Sequence, residues 1–215
     1  YTSQEPRSLI NEMIGYLLGT SLELPMPSKA GFLLIETKAL HPHLVHQLSE
    51  VDQYRGYTFA WTTEDVKGKN PRIEIMNNPE VQAIMEERFI ACMTDWDLLP
   101  HMIAFDDWII NADRNLGNTI QLPDNTFSLI DHGESLHGRD WKEPDLLDAN
   151  CPHIGFLNNL YLRCLHGKYK KDGLFQEENT LRALEQAKTQ HHAAFDKVKE
   201  EIQQHLDDMI GDEQV

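Results

Sequence analysis

The sequence predicts an α+β protein, of one domain or two lobes, that is mainly helical and carries one β-hairpin. Three observations predict it. Apolar residues recur at helical spacing near both ends of the chain. Compact apolar or aromatic runs with strand character fall at 31–36 and 54–63. Two runs, 119–122 and 127–130, alternate apolar and polar residues on either side of Pro123, Asp124, Asn125 and Thr126, which are turn formers.

In chain order, residues 7–20 place Leu9, Ile10, Met13, Ile14, Leu17 and Leu18 on one helical face, with Ser3 or Ser8 as caps. His41, His43 and His46 invite a metal reading, but Pro42 disturbs the helix needed to align them and no carboxylate has ligand spacing, which leaves them to the surface or to local packing. Residues 64–72 are polar with Gly68 and Pro71, the pattern of a mobile loop. Asn78 caps a helix with Pro79 at its first position, and Val81, Ile84, Met85, Phe89 and Cys92 follow at helical spacing. Residues 95–110 continue helically past Pro100 and offer Trp96, Leu99, Ile103, Trp108 and Ile110 to the core. Residues 153–166 read as a helix, 167–173 as a basic turn, and 179–210 as one long helix with a stripe of Leu184, His191, Phe195, Val198, Ile202, Leu206 and Met209.

The chemistry concentrates around the hairpin. Asp113 precedes Asn118 by a gap of four residues, and Asp131-His132-Gly133 closes the second β run. If Leu122 pairs with Phe127, the register puts Asn118 opposite Asp131, with Cβ atoms roughly 4.5–5.5 Å apart, where an amide oxygen and a carboxylate can grip one hard cation such as Mg²⁺. Asp113 then stands before this clamp as acceptor for a hydroxyl proton. Asp106 and Asp107 are neighbours on a helix and point about 100° apart, so they cap the loop or pair with Arg114 rather than both entering the site. Arg114 neutralises a phosphate or pairs with an acid, and Asn111 orients the loop. His132 is a general base on spacing alone, or fills a position taken by an apolar residue. Gly133 lets the backbone turn sharply past an ion.

Asn111, Asp113, Arg114 and Asn118 match an N-x-D-x-x-x-x-N loop, and Leu129-Ile130-Asp131-His132-Gly133 matches an I-D-x-G strand. This segment resembles the catalytic core of the HipA-like kinases, a bacterial branch of the protein-kinase-like superfamily. Phosphoinositide kinases carry similar local motifs. The resemblance implies a protein-kinase-like fold with a reduced N-terminal lobe and a hinge within 1–63, and a helical C-terminal lobe with the catalytic hairpin over 64–215. It implies ATP and Mg²⁺ as cofactors, Asp113 as the catalytic residue and Asn118 and Asp131 as metal ligands. By the same resemblance Glu12 pairs with a strand lysine that holds the phosphates, and Phe59, Ala60, Trp61 and Thr62 form the hinge that reads adenine. Only eleven residues precede Glu12, and they include neither a Gly-rich loop nor a lysine. A longer parent protein, another phosphate grip (Lys29 and Lys38 being near), or a pseudokinase each accounts for that.

The implied activity is phosphoryl transfer to a protein Ser or Thr. The alternatives are a kinase-like interaction module and a small-molecule or lipid kinase; an antitoxin-like or regulatory protein is a further partner. The formal charge of −16 argues against nucleic-acid binding and against an anionic membrane substrate. No run of about 18 apolar residues and no signal pattern is present, and Cys92, Cys151 and Cys164 share no metal spacing, which suits a reducing cytoplasm.

Overall fold

The computed structural model describes residues 6–48, 50–139, 141–142 and 178–211. The expected helix at 153–166, the basic turn at 167–173, most of the loop after Ser135, Cys151 and Cys164 lie outside the described residues. What is described is a mixed α+β arrangement with two separate two-stranded antiparallel sheets. No described helix is long and apolar enough to cross a membrane.

Helix α1 (Pro6–Ser21) buries Leu9, Met13, Leu17 and Leu18, the stripe its spacing predicts. Strand β1 (Ala30–Glu36) follows, then the single-turn helix α2 (Pro42–Val45) and helix α3 (Glu50–Arg55). Pro42 starts α2 instead of disturbing it, because a first-turn N–H has no partner to lose. His41, His43 and His46 are exposed. Strand β2 (Tyr57–Thr63) begins three residues later than expected, after Gly56 at φ 71°, and pairs with β1 so that Phe32 faces Trp61 and Leu34 faces Phe59. Trp61 meets Phe32 and Tyr16 of α1 edge-on, which fastens this ribbon to the core.

Residues 64–70 are a pinned segment, not a free loop. Lys69 exchanges two backbone hydrogen bonds with Gln121, at 2.9 and 2.8 Å, and Gly68 sits so close to that strand that a Cβ would lie 2.5 Å from the Gln121 carbonyl oxygen. Asn70 caps helix α4 (Pro71–Asn77) through the Ile73 N–H and donates to Gly117 O at 2.8 Å.

Pro79 opens a short 3-10 turn, and helix α5 (Gln82–Thr94) comes after it. Its buried face is Phe89, Ile90 and Met93, whereas Ile84 is 67% exposed; the 3-10 turn rotates the phase away from the predicted stripe. The chain then breaks, and α6 (Leu99–Trp108) begins with Pro100 in its first turn, so 95–110 is not one helix. Trp96, Leu99, Met102, Ile103 and Phe105 of this stretch fill the core, and Ile109 is buried where Ile110 was expected.

The C-terminal run is likewise two helices, α7 (Glu178–Thr189) and α8 (His191–Gly211), parted at Gln190. One straight helix cannot serve both surfaces, because α7 packs on α6 while α8 packs on α1. Leu184, Ala187, Ala194 and Ile202 are buried, and Phe195 faces out.

At the break, His191 stacks on Trp108 with ring centroids 4.4 Å apart, beside the Lys188–Asp107 ion pair at 3.0 Å. Desolvation first, and then the Lys188 charge, push its pKa down to about 4, against a smaller upward pull from Asp107. An unfolded chain with an ordinary histidine binds this proton at a higher pH, so the folded state loses stability as pH falls from about 6.5 to about 4. Thermal melts over that range should show the loss, and His191→Phe, which keeps the stack, should flatten it.

Candidate functional site

The site is built on a buried guanidinium. Arg114 is fully buried, and its Nε donates to Asp106 Oδ1 and Oδ2 at 3.2 and 3.0 Å while Nη2 donates to Oδ1 at 2.9 Å. Its Nη1 donates to the carbonyls of Asn118 and Ile130, each at 2.8 Å. A single cation therefore ties α6 to the loop and to both sides of the hairpin mouth. A bidentate guanidinium–carboxylate pair whose other terminal nitrogen is also bonded is the kind of arrangement in which a buried ion pair is tolerated. Arg114 thus supports the loop through Asp106, and its Nε, Nη1 and Nη2 all donate to protein rather than to a phosphate.

Asn111 completes the frame. Its Nδ2 donates to Asp106 Oδ1 at 3.3 Å, and its Oδ1 accepts from the Asp113 N–H at 3.1 Å. Asn118 Nδ2 donates to Asp113 O at 3.1 Å and to Asp113 Oδ2 at 3.3 Å, which leaves Asn118 Oδ1 as the amide atom offering lone pairs. Asp113 and Asn118 are therefore together.

Strand β3 (Thr119–Gln121) pairs with β4 (Phe127–Leu129), but one residue out of the expected register: Gln121 faces Phe127 and Thr119 faces Leu129. The cause is the turn. Leu122 N–H donates to Thr126 O, Asn125 N–H donates to Leu122 O, and Asn125 takes φ 64°, so the loop has three residues and a left-handed asparagine instead of four. Asp124 Oδ1 accepts from Thr126 N–H and Oγ1 and holds this form. Ile130, not Asp131, is consequently Asn118's partner, its N–H donating to Asn118 O at 3.1 Å. Asp131 follows at φ 60°, turning the chain out of the strand immediately beyond Asn118.

Glu12 of α1 is buried together with His132 and Gly133, outside the lining of the cavity that opens at Asp113. The Glu12 carboxylate accepts from His132 N–H at 3.0 Å, and among the described residues no lysine pairs with it. Lys38 instead pairs with Glu36 at 2.6 Å. His132 is buried edge-on to Phe105, under Gly15, where a Cβ would lie 2.5 Å from its own Cβ. That packing is the apolar-type role, since a general base needs access to substrate.

A cavity of about 510 Å³ opens at Asp113, lined by Ile110, Ala112, Glu134, His137, Gly138 and Arg139 as well. Phe59, Ala60, Trp61 and Thr62 do not line it. They lie on β2, with Phe59 47% exposed. Sequence reasoning missed Glu134, His137 and Arg139, and also Asn115, whose Oδ1 accepts from Gly117 N–H at 2.8 Å and whose Nδ2 donates to Asp113 O at 2.8 Å. The signal for Asn115 is its place two residues before a loop glycine, an Asx-turn spacing. Backbone strain marks the same region: Ile110, Asp131, Leu136 and His137 all have positive φ, at 53°, 60°, 54° and 72°. Such conformations cost about 1–3 kcal/mol each and cluster at functional sites.

Asn118 is hydrogen-bonded to Asp113, and Asp131 comes directly after Asn118's strand partner Ile130; Asn118 and Asp131 do not line the cavity, and among the described residues no three His, Cys, Asp or Glu side chains cluster as a metal site, but the side chains concerned are all hard oxygen donors. That set suits Mg²⁺ and not a soft metal. No protein-family model, no curated protein and no solved structure matches this chain.

Proposed function

We propose that the chain is an ATP- and Mg²⁺-dependent phosphotransferase of HipA-like type, with a kinase-like site, acting on a hydroxyl and most naturally on a protein Ser or Thr. The observation that carries this reading is the Arg114 frame: one guanidinium bonds the carbonyls of Asn118 and Ile130, the residue before Asp131, while Asn118 bonds Asp113. In this reading Asp113 orients the acceptor hydroxyl and takes its proton, with Asn111 fixing the Asp113 backbone. Asn118 and Asp131 supply oxygen ligands to the metal. Bound Mg-ATP supplies the phosphoryl group and the cation that neutralises its charge. The experiment is a thermal-shift titration with Mg-ATP coupled to an ADP-release assay. Binding raises the melting temperature in proportion to RT ln(1 + [L]/Kd), and turnover follows. No shift at millimolar nucleotide sinks the reading.

A second reading, a kinase-like module that binds a regulatory or antitoxin-like protein, is favoured by one observation. Glu12 spends its carboxylate on the His132 N–H, with no lysine opposite among the described residues. The same titration separates the two.

A further inference from the structure

One residue of α1 holds the segment that follows Asp131. Asn11 is 0% exposed, and its Nδ2 donates to Gly133 O at 2.8 Å, to Ser135 O at 2.7 Å and to Gly138 O at 2.9 Å. Its Oδ1 accepts from the Trp141 indole N–H at 2.9 Å, and Arg7, one turn earlier, lies 5.3 Å over the Trp141 ring. Ser8 and Glu12 add bonds to Gly133 O and His132 N–H on either side.

The chemistry of this grip is specific. Three carbonyls converge on an amide that has two hydrogens, so only a donor group is tolerated there. The Trp141 N–H selects the rotamer, because it needs an acceptor at the other end of the amide. The held segment contains Leu136 and His137 in left-handed backbone, a conformation that persists only where surroundings impose it. Glu134, His137, Gly138 and Arg139 of that segment form one wall of the cavity at Asp113, with Arg139 Nε donating to Glu134.

We propose that Asn11 is a positioning residue for the acceptor: by holding residues 133–139 it shapes the wall against which a peptide hydroxyl is presented to Asp113. This rests on the phosphotransfer reading. Asn11 touches neither the acceptor nor the Asp113, Asn118 and Asp131 side chains, so its effect falls on acceptor binding more than on nucleotide binding.

The test combines hydrogen exchange with kinetics on the full chain, using a mixed Ser/Thr peptide pool as acceptor. In Asn11→Asp, a carboxylate of the same shape faces three carbonyls without a hydrogen to offer. Exchange at the Leu136 and Gly138 amides should quicken by about tenfold, while α6 keeps its protection. The KM for the peptide pool should rise by about tenfold, with the KM for ATP changing by less than about twofold. Trp141→Phe, which keeps the ring and loses the N–H, should move both readouts the same way by less, and it stands in if Asn11→Asp does not fold. Wild-type exchange in these variants overturns the proposal, as does a KM for ATP that rises in step with that for peptide. A wild-type protein that turns over no Mg-ATP overturns the phosphotransfer reading and the acceptor role with it. The exchange result still reports separately whether Asn11 holds the segment.

Discussion

Arg114→Met is expected to lower the stability of the fold by about 3–5 kcal/mol, the usual cost of leaving one partner of a buried ion pair alone. That is a large share of the roughly 5–15 kcal/mol that holds a domain together. The loss has two sources. Asp106, 2% exposed, loses its counter-charge and the three guanidinium bonds, and the carbonyls of Asn118 and Ile130 lose the Arg114 donor. Chemical denaturation reads the loss as a lower midpoint. The double variant Arg114→Met/Asp106→Leu should regain part of it, because no stranded charge remains, but not the part due to the two carbonyls. A single variant as stable as the parent would mean that the pair contributes nothing to the frame.

Asp131→Asn is expected to reduce Mg-ATP turnover by about 10²–10³-fold or more with little change in stability, as is Asp113→Asn. The choice of asparagine matters at 131. The backbone there sits at φ 60°, where most side chains cost about 1–2 kcal/mol and asparagine is among those that visit routinely. Alanine would mix a backbone penalty into the result. Turnover is followed by ADP release and folding by circular dichroism, at a temperature well below the melt. Parental rates in both variants would remove Asp113 and Asp131 from the chemistry.

Much of this site was legible in the sequence because it is local. Asp113, Asn118 and the hairpin lie within a few residues of each other, and the pairing of Asp106 with Arg114 spans only 8 residues from the end of α6 into the loop. The register was not legible, because it hangs on one backbone angle. Asn125 takes a left-handed conformation that shortens the loop by a residue, and asparagine permits that state without demanding it. The phase of α5 and the break at Gln190 depend on which neighbours each helix covers, a tertiary matter. Asn11 was invisible for the same reason: its partners lie more than 120 residues away.

Those separations carry a consequence for the order in which the molecule assembles. Arg114's bonds span 4 to 16 residues, so its frame can close early at small entropic cost. Asn11's bonds span 122 to 130, and they must await the closure of most of the chain. Folding is thus expected to deliver the Asp113 loop first and the wall beside it last. Under mild denaturant the wall is the part to open while the loop stands, so a nascent or partly unfolded chain would carry the Asp113 loop without the surface beside it.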